Sequence, residues 1–91
     1  MNQKIIISSL AMDLKRVALG LHRGSFNMAH RFKKEALKRS EELKISNSNS
    51  DAYLEKLLER VKESLNKTGD QVAEDALMYS TLFQNLIVKR V

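Results

Sequence analysis

The chain has 91 residues, a formal net charge of +5, 43% hydrophobic and 5% aromatic residues, three glycines and neither proline nor cysteine. That length supports one helical domain over residues 1–91, burying roughly 60 to 65% of the unfolded chain's surface around an aliphatic core. The missing cysteines remove disulfides, thiolate metal sites and a cysteine nucleophile. Ile5-Ile6-Ile7 falls far short of the roughly 18 apolar residues of a membrane span and lacks a small-residue cleavage pattern, so no membrane segment or signal peptide is expected and cytoplasm is the expected compartment.

In chain order, Ile7, Leu10, Leu14, Val17 and Leu21 alternate by three and four residues, placing them on one stripe of a first helix over residues 3–22. Ala11 and Ala18 widen the stripe, and Asp13, Lys15, Arg16 and His22 form its polar side. Continued unbroken, the same register would bury Arg31 and Glu35. The phase must therefore reset, and Gly24-Ser25 supplies a left-handed cap followed by a capping serine. A helical hairpin is expected here, with one long kinked helix as the competing reading.

The second helix, about residues 26–44, has a narrow apolar stripe at Ala29, Phe32, Ala36 and Leu43 with Met28 and Ser40 beside it. His30, Arg31, Lys34, Lys38, Glu41 and Glu42 form its opposite face. Phe26 lies about 90° from the stripe and is expected to be partly exposed among Arg23, His30 and Lys33. The Ser/Asn-rich run from Ile45 to Ser50 reads as a solvated connection.

Ser50 or Asp51 is placed to cap a third helix, whose Leu54, Leu57, Leu58, Val61 and Leu65 have the spacing of a buried face. Glu59 and Lys62, and Glu63 and Lys67, stand at helical pairing distance on its exposed side. Thr68-Gly69-Asp70 is expected to stop this helix at Gly69 and start the next at Asp70, making the third and fourth helices antiparallel neighbours. The last helix, residues 71–90, presents Val72, Ala76, Tyr79, Phe83, Leu86 and Ile87, with a thin polar strip of Gln71, Glu74, Thr81 and Asn85. Leu77, Met78, Leu82 and Val88 fall elsewhere around it, which predicts either a subunit contact or a deep position against the other helices. The expected fold is all-α, an up-and-down four-helix bundle of two hairpins.

Charge is unevenly distributed. Residues 15–39 hold eight Lys or Arg against Glu35 alone. Residues 1–45 hold ten Lys or Arg and four Asp or Glu, a net of +6, whereas residues 46–91 hold six and seven, a net of −1. Such asymmetry points to an anionic partner. A basic solvated helix face is an equally ordinary reading.

No glycine-rich phosphate loop or Glu-x-x-His metal motif is present, and His22 and His30 lack metal-ligand spacing, so neither a metal nor a cofactor is expected. The Gly20-x-x-x-Gly24 spacing is read as helix ending. Arg16 and His22 are separated by five residues and Arg23 and His30 by six. These spacings resemble the Arg-x(4–6)-His motif of the HEPN family of small helical ribonucleases and nucleotide-handling proteins. That resemblance covers only the two spacings and the helical character, and it implies RNA cleavage on a helical bundle as a minor alternative.

The leading expectation is a non-enzymatic protein-interaction or regulatory module, self-associating or binding a protein partner through Met78, Leu82 and Leu86, with no catalytic residue. The alternative is nucleic-acid binding through phosphates by Arg16, Arg23, His30, Arg31, Lys34 and Lys38.

Overall fold

The amphipathic stripe of the first helix finds its core, as Leu10 and Leu14 are fully buried and Ile7 and Val17 nearly so. A computed structural model describes residues 3–46, 52–67, 69 and 71–89. It contains α1 (Gln3–His22), α2 (Phe26–Ser46), α3 (Ala52–Leu65) and α4 (Gln71–Lys89). No strand occurs among the described residues. The helices run up and down in two hairpins. α1 packs on α2 and α4, α3 closes the other side against the same two helices, and α1 and α3 stand diagonally.

Small residues set how closely the backbones approach. Ala11 and Ala18 on α1 lie on the side toward α4, where the Ser80 hydroxyl donates to the Ala11 carbonyl at 2.7 Å in a buried setting. Gly20 lies on the other side, toward α2. A Cβ placed on it would stand 3.1 Å from both the backbone nitrogen and the Cβ of Ala29. By contrast α3 contributes large residues, Leu54, Leu57, Leu58 and Leu65, which hold it farther from its neighbours because interaxial distance follows side-chain size.

The first turn closes in a Schellman motif. The Ser25 amide donates to the Gly20 carbonyl at 2.8 Å and the Gly24 amide to Leu21 at 3.3 Å, with Gly24 at φ 72°. The Ser25 carbonyl then accepts from the Ala29 amide at 3.0 Å, the first hydrogen bond of α2. Gly24 therefore ends the helix as expected. Gly20 remains helical, and the closeness of Ala29 gives the physical reason for a glycine there.

Three local expectations change. α2 continues through Ile45 to Ser46, two residues into the run read as a connection. α3 ends at Leu65, where the Asn66 amide shares the Lys62 and Glu63 carbonyls and the Lys67 amide bonds to Ser64. Gly69, at φ 102°, lies beyond that end and its carbonyl accepts from the Val72 amide at 3.3 Å, so it leads into α4 and does not cap α3. Lys62 pairs across helices with Glu41 of α2 at 3.8 Å, not with Glu59, and Lys67 lies past the helix end. The α3–α4 hairpin is tied by Ser64 donating to the Asp75 carboxylate at 3.1 Å. The capping roles read for Ser50, Asp51 and Asp70 lie outside the described residues.

Candidate functional site

One exposed row of α2 carries the basic charge. Arg31, Lys34 and Lys38 recur at steps of three and four, which keeps them on one ridge about 10 Å long. All three are exposed, as are His30 and Arg23. Among the described residues none of the five makes a salt bridge. The row exists because Ala29, Ala36, Ser40 and Leu43 take the opposite side of the helix into the core.

Arg16 behaves differently. Its guanidinium sits 5.1 Å over the Phe32 ring and 3.8 Å from the Asp13 carboxylate, so it is partly engaged at the α1–α2 seam. Asp13, expected on the polar side, is only 7% exposed, because that side of α1 is covered by α2. Burial pushes its carboxyl above the ordinary value, Arg39 and Arg16 pull it down, and Glu35 adds a further upward push. Arg39 in turn reaches Glu42 at 3.5 Å. The cationic surplus is thus divided into a free outer ridge and a seam where arginines offset buried carboxylate charge.

The spacing of Arg16 and His22 does not bring the two side chains together. Six positions on one helix turn a side chain through about 120° and carry it about 9 Å along the axis. Arg16 accordingly stacks at the α1–α2 seam while His22 lines a cleft at the end of the bundle. His30 lines the same cleft from α2. Among the described residues no group of His, Cys, Asp and Glu is placed to hold a metal, and no helix is long and apolar enough to cross a membrane.

The exposed apolar surface lies partly where the sequence reading did not look. On α4, Met78 is exposed, while Leu82 and Leu86 are half-buried against the core. The remaining exposed apolar residues of α4 are Leu77 and Val88, eleven positions apart and so within about 20° of one another. On α1, Ile5, Met12 and Leu19 are exposed at steps of seven, within about 40° of one another. Ser80 meets Ala11 across the α1–α4 seam; the α1 row stands about 100° round from Ala11 on the outer side of that helix, and the α4 row about 60–80° round from Ser80. Exposure there runs from 39% at Leu19 to 73% at Val88. The heptad spacing 5, 12, 19 is visible in the sequence, but it lies opposite the stronger stripe through Leu10 and Leu14.

The third feature is the end cleft, where the α1–α2 turn and the α3–α4 turn come together. It has a volume of about 540 Å³. Phe26, expected to be partly exposed, is 67% exposed and lines the cleft with His30 and Lys33. Compared with protein-family models, with curated protein sequences and with solved structures, the chain matches none.

Proposed function

We propose that this chain is a non-catalytic helical interaction module that pairs with a second copy through the outer α1/α4 face. The observation that carries this reading is the set of exposed apolar side chains Ile5, Met12, Leu19, Leu77 and Val88 on two adjacent helices. Apolar patches beyond a few hundred Å² are uncommon on monomers and mark interaction surfaces. The Cα extents of 38 × 22 × 20 Å make the side of the bundle its longest surface, and one partner of a stable dimer buries about 800 Å².

Charge favours a second copy as the occupant. Two chains of +5 repel unless they meet where charge is sparse. Among the described residues the outward sides of α1 and α4 expose Ser8, Thr81 and Gln84 with fewer charges, Lys4, Lys15, Arg16 and Glu74, than the cationic ridge of α2 and the mixed array of α3. Sedimentation equilibrium should show a dimer at micromolar concentration. Met12→Glu with Leu77→Glu should raise the dissociation constant at least roughly 100-fold, because two carboxylates per copy would have to be desolvated, with helicity unchanged. A wild-type chain that stays monomeric at several hundred micromolar would refute the reading.

The free ridge of Arg31, Lys34 and Lys38 supports a second reading, contact with nucleic-acid phosphates. Fluorescence anisotropy of a labelled single-stranded RNA and a DNA duplex should then show affinity falling steeply with salt, and loss of binding when the three cations are replaced by Glu. Binding confined to low salt, or unchanged in that variant, would remove it. Arg16 and His22 have no comparable support as an RNA-cleaving pair, since they are held on different sides of α1.

A further inference from the structure

The end cleft arises from unequal helix lengths. α2 has 21 residues and α3 only 14, so α3 is about 10 Å shorter at 1.5 Å per residue. It ends at Leu65, and beyond it α2 and α4 face one another across an opening whose floor is α1. Val17 and Leu21 of α1, Ala29 of α2, and Val72 and Ala73 of α4 give that floor an aliphatic lining. The volume of about 540 Å³ lies within the roughly 300 to 1,000 Å³ typical of small-ligand pockets.

Among the described residues the polar groups of the cleft are His22, His30, Lys33, Lys67 and Glu74. Two lysines face one carboxylate among the described residues, and neither lysine makes a salt bridge with any of them. An apolar floor beneath a cationic margin matches an apolar body with a negative head. The floor is aliphatic over Val17, Leu21, Ala29, Val72 and Ala73, so a hydrocarbon tail fits it better than the polar edge of a base.

We propose that this cleft binds a single-chain amphiphile of medium length with a carboxylate head, its tail over Val17, Leu21 and Val72 and its head between Lys33 and Lys67. The proposal is independent of dimer formation, because the cleft opens at the end of the bundle and the α1/α4 face runs along its side.

The test is calorimetric titration of the full chain with decanoate below its micellar concentration, with decyltrimethylammonium as the cationic counterpart. Decanoate should bind saturably and at least tenfold more tightly than the cation. Lys33→Glu with Lys67→Glu should weaken decanoate at least tenfold, whereas Lys34→Glu with Lys38→Glu, the same change in net charge on the outer ridge, should leave it unchanged. Met12→Glu with Leu77→Glu should also retain binding, which separates the cleft from the apolar face. Amide shifts at Val72 and Ala73 on adding decanoate to the wild-type chain give a readout that needs no variant. Equal affinity for the two amphiphiles, equal weakening by the two lysine pairs, or shifts confined to Met12 and Leu77 would overturn the proposal.

Discussion

Gly20→Leu lowers the stability of the folded chain by about 3 kcal/mol, the upper part of the range for overpacking a filled interior. The residue lies on the face of α1 that meets α2, where even a methyl group would stand 3.1 Å from the backbone nitrogen and 3.2 Å from the Cα of Ala29. Those atoms belong to a helix backbone and cannot swing aside as a long side chain could. A leucine must therefore push α1 and α2 apart at the closed end of their hairpin. The gain of roughly 0.8 kcal/mol from removing a helical glycine offsets only part of that. Urea unfolding at fixed protein concentration reads the loss directly, with Gly20→Ala expected between wild type and Gly20→Leu. A leucine variant as stable as the parent would show that this contact does not set the helix spacing.

Phe83→Ala should cost about 3–5 kcal/mol, the usual range for deleting a buried aromatic ring. Phe83 has no exposed surface and is the largest fully buried side chain among the described residues. Its removal opens a cavity in a core otherwise filled by aliphatic groups. A domain of this size has a total stability of only about 5 to 14 kcal/mol, so the variant loses a large share of it. Phe26→Ala supplies the contrast, because Phe26 is 67% exposed and its loss should move the unfolding midpoint little. Comparable losses at both positions would mean that burial is not what distinguishes the two rings.

These residues also mark how far the fold was legible before the structure. Phe83 appears in the sequence on the main face of the last helix, but so does Tyr79, which is only partly buried. Periodicity names the face, and neighbours decide the depth. Gly24 was readable as a helix end because a left-handed cap is a local property of the chain. Gly20 was not, because the need for it comes from Ala29 on another helix. Asp13 was placed on a polar side for the same reason: its angular position was right, and α2 covers that angle.

The candidate surfaces divide in the same way. The exposed ridge of Arg31, Lys34 and Lys38 could be traced from spacing alone, since polar residues opposite an apolar stripe face solvent. Arg16 could not be separated from them until Phe32 and Asp13 were seen beside it. Of the expected face of Met78, Leu82 and Leu86 only Met78 is exposed, because Leu82 and Leu86 pack partly against the core, and depth of that kind depends on neighbouring helices.

By itself the sequence determined the helical class, the end of α1, the first hairpin and the unequal distribution of charge, because each follows from composition, periodicity or turn chemistry within a few residues. The tertiary structure alone decided which helices approach closely, that Asp13 is buried, that Ile5, Met12 and Leu19 stay exposed while Leu82 and Leu86 are half-buried, and that a short α3 leaves a cleft. Those features depend on distances between segments remote in the chain, and helical periodicity carries no information about which segments become neighbours.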